Sequence, residues 1–204
     1  MGLTLMIVAF ALGWIPYVSY IGGLIALVGL ILLFLGRWGY DDRHHNFVLA
    51  GIVLLILVLV ASFVVVLGFA AAVVGDAQST TSLSGLTSTV QGQIDALLVA
   101  TAVLGAFSGV AHVLIPYGLA DRTTRYLLWT AFLLQVAVSI IVLALLLPMV
   151  NSAVSQSLSG STFNAGPIGD LQTSSALIGM LSVGPSALFA LGYYRVRSTA
   201  IVRE

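Results

Sequence analysis

The chain has 204 residues, 60% of them hydrophobic and 7% charged, with a mean hydropathy of +1.14. Soluble domains carry about 25% charged residues, so this composition excludes a water-wetted globule and reads as an all-α, polytopic transmembrane helical bundle. Zero net charge leaves no global field to attract nucleic acid, and the lack of cysteine excludes disulfides, iron–sulfur clusters and thiolate metal sites.

Taken in chain order, the apolar runs predict six helices over about 3–13, 16–36, 47–74, 96–119, 126–150 and 174–194, forming one integral membrane domain. The opening "MGLTLMIVAFALG" lacks the basic n-region of a secretory leader. A single helix from Gly2 to Leu35 would be about 51 Å long, well beyond a bilayer. "GWIPYVSY" lies in its middle, with Pro16 disfavouring helical continuity and Trp14, Tyr17 and Tyr20 suited to an interface. The sequence therefore predicts a break between Gly13 and Tyr17, with a short first helix and a full second one. Five spans with an external N-terminus is the alternative.

"WIPYVSYIGGLIALVGLILLFLGRW" resembles the opening hairpin of small archaeal multi-spanning membrane proteins of unknown function: an apolar helix, an Ile-Pro turn and a glycine-punctuated second helix. The resemblance covers about the first 40 residues. It implies a polytopic fold, and it transfers no activity and no functional residue.

All seven basic residues are arginines, in the clusters "GRWGYDDRHHN", "ADRTTRY" and "YYRVRSTAIVRE". The intervening "GDAQSTTSLSGLTSTVQGQID" and "NSAVSQSLSGSTFNAGPIGDLQTSS" carry none. The positive-inside rule places the arginine clusters in the cytoplasm and the Ser/Thr-rich loops outside. This gives three helical hairpins with both termini cytoplasmic, in a multi-pass protein of the cell membrane.

"DRHHNFVL" (42–49) and "DRTTRYLL" (121–128) each put Asp-Arg before a span, and "SLSG" recurs at 82–85 and 157–160. "IPY" recurs at 15–17 and 115–117. A duplicated hairpin would produce such echoes, as would chance matches among common residues.

Thr101, Gly105 and Gly109 are spaced by four, and Gly22, Gly29 and Gly36 by seven. Both spacings make a small-residue stripe that another helix backbone can approach. His112 is three residues past Gly109 and shares that face. Counted inward from the 120–126 connection, His112 and Gln135 lie at equal depth, about 12–14 Å in. An imidazole and a carboxamide each donate and accept, so the sequence predicts a structural His112–Gln135 hydrogen bond. Haem ligation needs a second intramembrane histidine, a catalytic zinc needs three ligands, and a proton relay needs a neighbouring acid. None of these accompanies His112. Asp41, Asp42, His44 and His45 could meet a divalent metal, but adjacent histidines rarely converge on one ion, and the stretch reads as a solvated, orienting turn.

These readings predict no catalytic, metal or cofactor site. The function they favour is a non-catalytic accessory or structural subunit, partnered by membrane lipid and by other membrane subunits or itself. The alternative is a small transporter or channel of repeated hairpins, with Ser62, Thr101, His112, Gln135 and Ser139 as its polar candidates.

Overall fold

A computed structural model describes residues 1–13, 15, 18–36, 42–79, 83–158, 169 and 180–201. The described residues form six α-helices and no strand: α1 Gly2–Gly13, α2 Ser19–Gly36, α3 Asp42–Ser79, α4 Leu83–Tyr117, α5 Arg122–Leu158 and α6 Val183–Ile201, the last entered through a 3₁₀ turn at Met180–Ser182. A helix pairs every backbone N–H inside its own segment, the solution open to chains too apolar to leave them to water.

The break after Gly13 is present. α1 ends there and α2 starts at Ser19. The two run antiparallel, because a Cβ placed on Gly2 would stand 2.7 Å from Leu33 Cγ and 2.9 Å from the Gly29 carbonyl oxygen. Trp14, Pro16 and Tyr17 lie outside the described residues. α1, with 12 residues, is about 18 Å long and α2, with 18, about 27 Å.

The three middle helices are longer than their apolar runs. α3, α4 and α5 have 38, 35 and 37 residues, or about 52–57 Å. Each is long and apolar enough to cross a membrane. The described residues from Gly75 to Asp95, expected as an outer loop, are helical; 80–82 lie outside the described residues. Likewise α5 runs through Asn151 to Leu158. Hydropathy marks where a helix stops being greasy, and Gln, Ser and Thr continued these helices past that point. α6 sits later than the expected 174–194 span, of which 174–179 lie outside the described residues. The two "SLSG" stretches differ in setting: α4 begins inside the first, whereas α5 ends inside the second.

The helices pack in the order α2–α1–α6–α5–α4–α3, and α2 scarcely meets α3. Glycines allow the closest approaches. A Cβ on Gly51 of α3 would stand 2.6 Å from Ile115 Cγ1 of α4, and one on Gly192 of α6 would stand 2.6 Å from Leu128 Cδ2 of α5. The core, which includes Met6, Leu33, Val113, Ile115, Leu128, Phe189, Tyr193 and Val196, lies toward the C-terminal end of α4 and the arginine-bearing ends of α5 and α6. Beyond Ile52, α3 has no buried residue among those described; it is an outlying helix held by α4.

Polar ties brace the opposite ends of the long helices. Gln93 Nε2 donates to Asp76 Oδ2, joining α4 to α3. Asn151 Nδ2 donates to Asp95 Oδ1 at 3.1 Å, and Gln91 Nε2 to the Asn151 carbonyl at 2.9 Å, joining α5 to α4. Asp76, Asp95 and Asn151 each sit immediately past an apolar run, so the ties form a collar where hydrocarbon would give way to headgroups.

Candidate functional site around His112

The site begins with a missing donor. In α4 the carbonyl of His112 should accept a hydrogen bond from the amide four residues on, but that residue is Pro116, which has no N–H. Its ring also crowds the same carbonyl. The orphaned oxygen is met from α6: the Tyr193 hydroxyl donates to it at 3.0 Å. Tyr193 is fully buried, seated where Gly192 lets α6 close on α5.

Aromatic rings from three helices fill the space beside this bond. Phe10 of α1 stacks on Phe189 of α6 with centroids 5.3 Å apart and lies 5.3 Å from the Tyr193 ring. It meets the His112 ring edge-on at 5.0 Å, and Phe189 is 6.0 Å from that ring. α1, although short, thereby closes one side of the site.

His112 turns back on its own helix. Nδ1 is 2.7 Å from the Ser108 carbonyl oxygen and 3.5 Å from Ser108 Oγ. A carbonyl oxygen only accepts, so Nδ1 carries the proton and Nε2 is left as the ring's acceptor. Gln135 bonds elsewhere: Nε2 donates to the Gly105 carbonyl at 3.0 Å, and a Cβ on Gly109 would stand 2.8 Å from its Oε1.

The predicted His112–Gln135 bond is therefore corrected. Depth has to be counted from the helix ends, not from the edges of the apolar runs. His112 is five residues before the end of α4 at Tyr117, and Gln135 is thirteen after the start of α5 at Arg122. The register that puts Gln135 opposite Gly105 puts Leu128 opposite His112. Both polar side chains reach α4 carbonyls, but different ones: His112 that of Ser108 and Gln135 that of Gly105.

The small-residue positions divide. Gly109 lies against Phe132 and Gln135, and Gly29 against Leu5, Met6 and the Gly2 carbonyl. Gly22 is buried. Gly105 has open space at its Cβ, as does Gly36, and Thr101 is exposed with Oγ1 bonded to the Leu97 carbonyl. Thr101 instead lines a groove of about 320 Å³ with Leu98, Val138, Ser139, Leu146 and Ser182, between α4, α5 and the start of α6.

His44 also departs from expectation. It is not in a solvated turn: α3 begins at Asp42, and His44 is 3% exposed, with its Cα 2.7 Å from where a Gly118 Cβ would stand. The adjacent α4–α5 turn is tightly fixed. Leu119 and Ala120 amides both reach the Pro116 carbonyl, Phe47 packs on Tyr117, and the Arg125 guanidinium lies 4.7 Å over the Tyr117 ring. Asp121 caps α5, its Oδ1 accepting from the Thr124 amide at 2.8 Å. Hydrogen bonds from Thr124, with a smaller attraction from Arg195, hold the Asp121 carboxyl below the usual carboxylate range.

Sequence reasoning missed Tyr193 and the collar. Pro116 was the available signal for the first, since a proline near a helix end demands a donor for the carbonyl four residues back. The polar residues closing three successive apolar runs were the signal for the second. Comparison with protein-family models, with curated proteins and with solved structures finds no match for this chain.

Proposed function

We propose that the chain is a multi-pass protein of the cell membrane, arginine ends in the cytoplasm, serving as a non-catalytic structural or accessory subunit of a membrane assembly. The observation that carries this reading is the use of the interior polar groups. The Tyr193 hydroxyl, the His112 Nδ1–H and the Gln135 amide all bond to α4 carbonyls, and the Ser62 hydroxyl bonds to Val58 of its own helix at 2.8 Å. The Tyr193 and Gln135 bonds join neighbouring helices to α4, and the His112 and Ser62 bonds close on their own helices; polar atoms engaged this way are not presented to a passing solute.

Affinity purification from native membranes, with mass spectrometry of what co-purifies, tests the proposal. A stoichiometric membrane partner, or a defined homo-oligomer, supports it. A monomer that carries solute flux in proteoliposomes overturns it. The groove lined by Thr101, Ser139 and Ser182 favours transport as the second reading, because it places hydroxyl-bearing residues along an apolar cleft.

A further inference from the structure

The arginine ends of α5 and α6 lie side by side and hold more hydrogen-bond donors than the described residues supply acceptors. The helices run antiparallel, with Gly192 flush on Leu128 and Gly184 facing Leu134. The first turn of α5 therefore meets the last turns of α6. Arg122 and Arg195 are exposed. Arg122 Nη2 reaches the Tyr126 hydroxyl at a long 3.4 Å. Arg125, by contrast, is turned to α4, donating Nε–H to the Ala120 carbonyl at 2.9 Å with its guanidinium over the Tyr117 ring. Among the described residues of these two helix ends the carboxylate is Asp121, which accepts from the Thr124 amide and draws Arg195 only as a smaller effect.

What lies next to these guanidinium groups is ordered by polarity. Below Arg122 the same face of α5 continues, at four, seven and eleven residues on, with Tyr126, Trp129 and Leu133, which are 61%, 40% and 63% exposed. α6 sets Arg195 one turn past exposed Leu191. Guanidinium, then phenol and indole, then aliphatic side chain complements in order the phosphate, the glycerol-ester region and the acyl chain of a phospholipid.

We propose that this face of α5 and α6 binds one anionic phospholipid, its phosphate held by Arg122 and Arg195 and an acyl chain lying along Trp129 and Leu133. Guanidinium groups suit the site because their paired N–H donors match phosphate oxygens. The proposal rests on the reading that the chain spans a membrane, with these ends at a headgroup layer.

Native mass spectrometry of the detergent-purified chain, offered phosphatidylglycerol and phosphatidylcholine at equal concentration, tests it. A preferred phosphatidylglycerol adduct is expected. Arg122→Gln with Arg195→Gln should weaken that adduct about twenty-five-fold, taking about fivefold per arginine. Arg197→Gln removes one charge from another side of α6 and should change it less than twofold, where Arg195→Gln alone changes it about fivefold. Trp129→Ala should also weaken the adduct. Equal binding of the two lipids overturns the proposal, as does an Arg197→Gln loss matching that of Arg195→Gln. Displacement by inorganic phosphate at the lipid's concentration, with no effect of Trp129→Ala, makes the site one for free phosphate and also overturns it. Failure of the chain to insert into liposomes defeats the membrane reading; insertion with indifferent lipid binding defeats this proposal alone.

Discussion

The Tyr193 hydroxyl lies 3.0 Å from the carbonyl oxygen of His112, the one acceptor in that turn of α4 that Pro116 leaves without a backbone donor. A side chain on α6 thus performs the work of an α4 amide, and docking of the two helices and integrity of α4 become a single interaction. Tyr193→Phe should lower stability by about 1–2 kcal/mol, the cost of an orphaned buried carbonyl. Pro116→Ala restores an N–H to that carbonyl, so Tyr193→Phe should cost less in its presence. Unfolding in mixed micelles measures both, and an equal penalty in the two backgrounds would show that the hydroxyl matters for something else.

His112 and Gln135 bond to different α4 carbonyls, so their effects should be independent. The stability changes of His112→Ala and Gln135→Leu should add within about 0.5 kcal/mol in the double variant. Gly109 is where Gln135 is sensitive: Gly109→Val should cost about 1–3 kcal/mol through overpacking against Gln135 and Phe132, whereas Gly105→Ala, with open space at its Cβ, should be tolerated. Strong coupling between His112 and Gln135 in the cycle would contradict the observed register.

The proposed orientation is read by labelling. Ser88, Ser152 and Thr123 are all exposed. Cysteines replacing Ser88 and Ser152 should react with a membrane-impermeant maleimide on intact cells, and one replacing Thr123 should react only after permeabilisation. The reverse pattern would invert the protein in its membrane and deny the rule drawn from arginine placement. Ser157 is unsuitable as a reporter because it is 2% exposed.

Asp121 should give the α5 start an acid limb. Its folded-state pKa is lowered, chiefly by hydrogen bonding from Thr124. The stabilisation is therefore present above the unfolded-state value, near 3.9, and is lost as pH falls through the lower folded value. Asp121→Ala should cost about 0.5–2 kcal/mol at neutral pH. Asp121→Asn, still able to cap, should cost little and should flatten stability below about pH 4. Thermal unfolding between pH 3 and pH 7 checks both; an unchanged acid limb in Asp121→Asn would assign it to another carboxylate.

Much of the helix inventory is legible in the residues, because Pro16, Asp121 and the long Leu/Val/Ala runs state their consequences locally. Register is not. The depth of His112 depends on where α4 stops and α5 starts, and that is decided at Gly118, flush on His44, and at Asp121, capping Thr124. An error of a few residues at each end moved Gln135 two turns away from its predicted partner. The collar was illegible for a related reason: Gln93 and Asp95 read as loop polarity until the helix continued through them and aimed them at α3 and α5. Tyr193 was obscured by distance, since the donor that Pro116 requires lies 77 residues further along the chain.

In the membrane proposed for this chain, the unequal helices have a consequence for the surrounding lipid. α2 offers about 27 Å of apolar height on one flank, while the run from Phe47 to Val74 of α3 offers about 42 Å on the other. A hydrocarbon layer about 30 Å thick matches the first closely and falls short of the second. The bracing of α3 to α4 through Asp76 and Gln93 limits how freely α3 can lean to shorten its projection. The bilayer is left to swell around α3 and to keep its ordinary thickness beside α2, at a cost of fractions of a kcal/mol per Å. A protein with two heights is least strained where a thicker and a thinner patch of membrane meet, and that boundary is where it should collect.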